Sequence, residues 1–417
     1  MSSSDLPRLP VAFATLRRGV PAFVACLLSY APALSSAADA LKTGGKGGTE
    51  SAYSLEAAYT ADLWRNTRGG LRKGYAYLDN LDIVLDVDGF RLWDVGGLQV
   101  YAHLLYNNGA TFSDRYVGDA MGVSNIDAPS GTRVHEAWVE WGSDVEKSLA
   151  FRFGLYDLNS EFDTSDGRSL FIHSTHGVGH ELAQTGTNGP SIFPNTSLGL
   201  RVAWNAGPNW RVLAAVLDGV PGDRDDPGRS GVHLSSEEGA LGIAEAQWSR
   251  GRIEKASVGH WRYTAGFADL LATGASPLPE RRDNKGTYGA IEIGLNDPGT
   301  EWSSSAFVRY GAAEGRINEF DRFLGIGLRF AGIIPGRPRD QVGLAFSRAD
   351  VSPAAQHAAT AAGLLRDHFE AAVELTWRAE INEWITLQPD IQYVTDPGAD
   401  PALANALAFG LRVEISM

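Results

Sequence analysis

The chain has 417 residues, a formal net charge of −14 at pH 7, 44% hydrophobic residues and one cysteine, Cys26. The acidic balance disfavours nucleic acid as a partner, and a single cysteine excludes a disulfide-stapled fold. Beyond residue 40 no apolar run approaches the roughly 20 residues of a spanning helix, so a helical membrane protein is excluded.

At the N-terminus Arg17 and Arg18 precede an apolar run from Val20 to Leu34. Small residues follow, with Ser36-Ala37-Ala38 or Ala38-Asp39-Ala40 as cleavage sites, which is the pattern of a secretory signal peptide. The short run, broken by Pro21 and Pro32, argues against a first membrane helix. Apolar sequence continues past Cys26, which argues against a lipoprotein signal. The expected organisation is a removed signal peptide over 1–40, a flexible Gly-rich segment over 41–52 and one domain over 53–417. The mature chain then has a charge of about −15, because Arg8, Arg17, Arg18, Asp5 and Asp39 leave with the signal.

From Tyr53 onward the chain reads as about sixteen short strands, at 53–62, 81–89, 97–107, 133–142, 148–157, 197–205, 209–218, 239–249, 255–264, 285–295, 302–311, 321–330, 340–349, 367–378, 384–393 and 404–416. Successive side chains on a strand point to opposite faces, so period-2 alternation separates an apolar face from a polar one. Leu81, Ile83, Leu85 and Val87 oppose Asp82, Asp86 and Asp88, while Leu407, Phe409, Leu411, Val413 and Ile415 oppose Arg412 and Glu414. Charges recur on the second face in strand after strand. An unpaired charge in a dry core costs several kcal/mol, so that face is expected to look into water. Glu245, His260 and Glu292 make strands 239–249, 255–264 and 285–295 the least regular. Tyr53, Tyr59, Trp141, Trp204, Trp210, Trp302, Tyr310, Trp377 and Tyr393 lie near strand ends on the apolar face, as in the aromatic girdles of a membrane barrel rather than the interior of a β-sandwich.

Connections after even-numbered strands are short, and those after odd-numbered strands are mostly long. The predicted fold is therefore all-β, a closed antiparallel transmembrane β-barrel of about 16 strands with long extracellular loops and short periplasmic turns. The longest connection, about 158–196, exceeds what a surface hairpin needs, and Gly186, Gly189, Pro190 and Pro194 provide turns for folding it into the barrel.

Candidate chemistry in the loops is weak. His173, His176, His180 and Glu181 match no zinc spacing and read as polar loop residues. Asp218, Asp223, Asp225 and Asp226, with Gly219, Gly222 and Gly228, lack the ligand order of a calcium loop. No nucleophile elbow surrounds Ser169, Ser174 or Ser191, so neither an enzyme nor a cofactor is expected.

The interior charges carry the functional argument. Asp82, Asp86, Glu136, Glu140, Glu370 and Glu374 face the lumen by alternation, as do Arg152, Arg201, Arg309, Arg329 and Arg412. In one reading they wet the wall and pair across strands. In the other, Arg201 and Arg329 stand apart from Glu136 and Asp86 or Glu140 across an eyelet, leaving donors and acceptors for sugar hydroxyls. Trp138 then supplies an aromatic platform.

Several segments resemble the carbohydrate-selective porin family, the OprB type, of Gram-negative bacteria. They include Tyr59-Thr60-Ala61-Asp62 with Asn66 and Gly69-Gly70, Gly154-Leu155-Tyr156-Asp157-Leu158-Asn159-Ser160-Glu161-Phe162, Phe171-Ile172-His173-Ser174 with Gly177, and Asn188-Gly189-Pro190-Ser191-Ile192-Phe193-Pro194. Near the end, Glu374-Leu375-Thr376-Trp377, then Trp384 through Val394, and Pro397-Gly398 are similar to the family's closing strands. The resemblance implies an outer-membrane porin passing mono- and oligosaccharides, surrounded by lipid and lipopolysaccharide, as a single barrel or a homotrimer. With it, the expected pore-lining set is Asp86, Glu136, Trp138, Glu140, Arg152, Glu161, Arg201, Arg309, Arg329 and Glu374. The alternatives are a general or cation-preferring porin and, behind it, a barrel hydrolase. The terminal Met417 departs from the aromatic residue usual at the end of such barrels.

Overall fold

The computed structural model describes residues 51–417 except 110, 144–147, 224–225, 227, 273–278 and 297–299. The expected signal peptide, Cys26 and Asp225 fall outside the described residues. Sixteen strands form one closed barrel: β1 (Tyr53–Arg68), β2 (Gly74–Asp88), β3 (Leu98–Asn108), β4 (Gly131–Gly142), β5 (Leu149–Tyr156), β6 (Ser197–Asn205), β7 (Trp210–Asp218), β8 (Ala240–Arg250), β9 (Ile253–Tyr263), β10 (Lys285–Gly294), β11 (Ser303–Ala313), β12 (Phe320–Ala331), β13 (Gln341–Val351), β14 (Phe369–Glu380), β15 (Ile385–Thr395) and β16 (Ala406–Ser416). Each strand pairs antiparallel with its chain neighbours, and β1 closes on β16. Met417 extends that seam, since its N–H donates to Ala57 O (2.8 Å) and its carbonyl accepts from Ala57 N (3.2 Å). Closure leaves no unpaired sheet edge, which is how a sheet survives in lipid. A ribbon of Phe267–Ala268 with Glu280–Arg281 lies in the β9–β10 loop. No helix among the described residues is long and apolar enough to cross a membrane.

The outer wall carries the apolar half of the alternation. Leu85, Leu104, Val139, Phe153, Leu200, Val216, Val258, Val308, Leu344 and Leu411 are all exposed on it. Trp141, Trp204, Trp210, Trp302 and Trp384 are exposed near the rim of short turns, with Tyr75, Tyr106 and Tyr393 toward the loop rim. Glu245 and Glu292 prove to be inward and buried, so they belong to the inner face of a regular strand, whereas His260 is exposed on the outer side with Thr287.

The first hairpin is longer than the sequence reading: β1 runs to Arg68 and β2 begins at Gly74. The reason is a reversal of pattern. Trp64, Ala76 and Leu78 point inward and are buried, while Arg65 and Tyr75 point outward, opposite to the apolar-out rule that locates strands lower in the wall.

The expectation of a wet interior also needs correction. Between β3 and β4 the residues from 111 to 130 fold inward and bury Phe112, Val117, Met121, Val123 and Ile126 against Trp64, Leu78, Phe320, Phe323 and Val394. The 157–196 connection folds inward too, and its Ile172 joins the same apolar cluster. β5 is the shortest barrel strand, with 8 residues. The chain therefore leaves the wall partway up rather than at the rim. Much of the lumen is a packed protein core, in which wall charges are met by loop groups rather than by water.

Candidate functional site

On the inner wall Glu140, Arg152 and Arg201 form one row across β4, β5 and β6, since Glu140 pairs with Arg152 and Arg152 with Arg201. Arg152 meets Glu140 at 2.9 Å, and Arg201 Nη2 meets the same carboxylate at 2.5 Å. From the inward loop, Glu161 completes the group, accepting from Arg201 Nε (2.7 Å), from Tyr156 OH (2.7 Å) and from Arg211 of β7. Burial pushes the Glu161 carboxyl up, but Arg152, Arg201 and Arg211 outweigh it and hold the group below its ordinary value. Two adjacent arginines are tolerable here only because two carboxylates bracket them.

This corrects the expected eyelet. Arg201 is not held apart from Glu140; it is paired with it and buried. Arg329, near the end of β12, meets neither Glu136 nor Asp86; its Nη1 donates to Asp166 O (3.4 Å) and it remains partly exposed. Asp86 accepts from Gln99 (2.6 Å). Glu136 accepts from Asp157 N (3.1 Å) and Trp138 Nε1 (3.3 Å), so it tethers the first residue of the inward loop.

Trp138 points inward as alternation requires, yet it offers no free face. Tyr101 of β3 stacks on it at 4.7 Å and 12°, and the Arg152 guanidinium lies 3.7 Å over its ring from β5 on the other side. Tyr101 and Arg152 are the partly exposed members of this stack, and Tyr101 has Asp86 as its direct cross-strand neighbour. Tyr101 was legible as an inward position on β3 but carries no charge to mark it. A bulge in β4 turns both His135 and Glu136 inward, because His103 pairs with Glu136 while Leu104 pairs with Val134. His103 then binds Asp82 (2.9 Å), and His135 binds Asp157 (3.3 Å).

Arg309 is the anchor of the inward loop. It is inaccessible and meets two loop carboxylates, Asp163 at 2.9 Å and Glu181 at 2.6 Å. Arg168 adds a second cation to Asp163 (2.9 Å). Burial raises the Asp163 carboxyl, but Arg309 and Arg168 outweigh this and leave it below its ordinary value. For Glu181 burial prevails over Arg309 and the carboxyl is raised. A side chain at the glycine on either side would displace this pair. A Cβ on Gly179 would lie 2.0 Å from Arg309 Nη1, and one on Gly311 would lie 1.9 Å from Glu181 Oε1.

Glu374 and Glu370, four residues apart on the inner face of β14, hold one loop each. Glu374 accepts from Ile172 N (2.7 Å) and His173 N (3.1 Å). Glu370 accepts from Ala120 N (2.7 Å) and Met121 N (2.9 Å). Arg412 is likewise committed, with Asp62 at 2.8 Å. The His-rich stretch is not a wet loop: burial drives His173 down to about 3 and His180 down to about 4, and lowers His176 as well. Among the described residues no group of three or more His, Cys, Asp or Glu side chains is arranged to hold a metal.

The comparisons agree with this architecture. A curated relative, Porin B of Pseudomonas aeruginosa, is 22% identical over 405 residues, covering 88% of this chain and 87% of the relative. A solved structure titled as the high-pH form of Pseudomonas putida OprB superposes with a TM-score of 0.77 at 18% identity, over 88% of this chain and 94% of that one. An anion-selective porin from Comamonas acidovorans gives 0.52 at 9% identity, over 88% and 99%. At such identities these superpositions establish the barrel fold. The model of the carbohydrate-selective porin family, OprB, matches residues 72–417, and the chain belongs to that family.

Proposed function

We propose that this protein is a passive outer-membrane channel for neutral mono- and oligosaccharides, made after removal of residues 1–40 and narrowed by the 157–196 loop. The observation that carries the reading is the seating of that loop on wall charges. Glu161, Asp163 and Glu181 consume Arg201, Arg309 and their neighbours, and Ile172 and His173 consume Glu374. Inner-wall groups left partly exposed include Tyr101, Arg152, Arg211, Lys255 and Arg329, together with Asp82 and Asp86. An aromatic face beside carboxylates, opposed by a few cations, suits a solute with one apolar ring face and many hydroxyls. Binding there must be weak, since a tight site blocks its own passage.

Tyr101 is thus the sugar-facing member of the Tyr101–Trp138–Arg152 stack, and Trp138 and Arg152 hold it in place. The net charge of −14 favours the second reading, a cation-preferring general porin. Swelling of proteoliposomes in neutral sugars, set against amino acids of matched size and either charge, distinguishes the two. Sugars are expected to enter faster than size-matched charged solutes, and Tyr101→Ala to remove much of that advantage. Entry governed by size alone, or a cation preference untouched by Tyr101→Ala, would replace the sugar reading with the general one.

A further inference from the structure

Between Leu63 and Leu78 the chain carries Arg65, Arg68, Arg72 and Lys73 and no acidic residue, within a protein of net charge −14. These residues form the loop-rim end of the β1–β2 hairpin, whose strands of 16 and 15 residues are the longest in the barrel. All four are exposed, and the inward 111–130 segment brings exposed Arg115 beside them. Arg72 Nε donates to Arg115 O (2.9 Å), and its guanidinium lies 4.7 Å over the Tyr116 ring. Among the described residues none of the five takes part in a salt bridge; the hairpin end has no acid, and on the inward segment Asp114 is exposed while Asp119, buried, accepts from Gly122 N and Asp127 accepts from Ser113 N.

Arg65 lies on the outer wall. Its cross-strand partners are Tyr75, 79% exposed, and Phe409, 41% exposed, one step above Leu63 and Leu411 on the lipid-facing band. A cluster of five cations at the top of an apolar band, outnumbering the exposed Asp114, is unfavourable until an anion joins it. In an outer-membrane barrel the loop rim stands in the outer leaflet.

We propose that this hairpin is a binding site for the phosphate groups of a phosphorylated glycolipid of that leaflet. Arg65 and Tyr75 flank the acyl and sugar portion, while Arg68, Arg72, Lys73 and Arg115 take the phosphates. The guanidinium fork pairs with phosphate oxygens in two-point contacts, and Tyr75 supplies an amphipathic ring at the boundary.

The test uses the full chain in non-ionic detergent and a bisphosphorylated lipid A, its dephosphorylated form and inorganic phosphate as probes. The R65S/R68S/K73S variant removes three cations whose side chains make no hydrogen bond among the described residues. Near an anionic surface each cation contributes about fivefold, so the triple variant is expected to bind bisphosphorylated lipid A about 100-fold more weakly at low salt. The wild-type protein is expected to prefer the phosphorylated over the dephosphorylated lipid, a comparison that needs no variant, and millimolar inorganic phosphate is expected not to displace it. Equal binding of the two lipids, unchanged affinity in a variant with normal conductance, or displacement by free phosphate would overturn the proposal. A variant that altered only self-association would assign the surface to a second copy instead.

Discussion

Replacing Glu374 by Ala should unseat the middle of the 157–196 loop while leaving the barrel closed. The carboxylate accepts Ile172 N at 2.7 Å and His173 N at 3.1 Å, and both of those residues are buried. Each backbone N–H stranded in a buried setting costs about 1–3 kcal/mol, so the seated loop, with two of them, loses roughly 2–6 kcal/mol. Barrel closure depends on ladder bonds along β14 that the substitution does not touch. A local penalty near 3 kcal/mol shifts the seated-to-released ratio by about two orders of magnitude. Single-channel recording in planar bilayers should show a larger mean conductance with rapid transitions, and amide exchange over residues 170–176 should accelerate by a similar factor. Glu374→Gln retains one acceptor oxygen and should fall between the two. A correctly inserted Ala variant with wild-type conductance and wild-type exchange at Ile172 and His173 would show that the clasp does not hold the loop.

Arg309→Ala leaves Asp163 and Glu181 buried without their shared cation; a loss of about 3–5 kcal/mol is expected, read as a lower denaturation temperature of the refolded barrel, and an unchanged midpoint would refute it. Arg201→Ala should perturb assembly less, because Glu140 keeps Arg152 and Glu161 keeps Arg152 and Arg211. Its expected effect on the preference for sugars over small ions is smaller than that of Arg329→Ala, because Arg201 is buried under Glu161 whereas Arg329 stays partly exposed on the inner wall; equal flux ratios in both variants and wild type would remove the two arginines from the filter. Acid should loosen the loop. His173 near 3 and His180 near 4 lie below the ordinary histidine value of about 6.5, so they fold neutral. The seated loop is then fully stable above about pH 6.5 and loses up to about 3 kcal/mol per histidine as pH falls toward 4. Conductance noise that rises between pH 6 and pH 4, and is abolished by His180→Phe with His173→Gln, checks the sign; noise independent of pH would contradict it.

Strand number, antiparallel order and the outer wall were legible in the sequence, because lipid imposes an apolar rule on most outward positions from Leu81 to Ile415, His260 and Thr287 being exceptions. The 157–196 loop was legible from its length alone. Where the solvent rule fails, the sequence loses its voice. Trp64, Ala76 and Leu78 alternate in the opposite sense because they face the 111–130 segment rather than water, so the upper half of the first hairpin went unread. Nothing in residues 111–130 announces that they fold inward, since their apolar side chains are equally compatible with an outer loop. The same limit applies to the charges. Alternation places Arg201, Arg309 and Glu374 inside the barrel, but pairing depends on which loop atoms arrive beside them. Asp163, Glu181 and the Ile172 and His173 amides are brought there by contacts spanning between 128 and 202 residues of sequence. Local pattern determined which face each residue takes. Tertiary structure decided which of those faces remain wet, because loop closure over such distances has no local periodicity to record it.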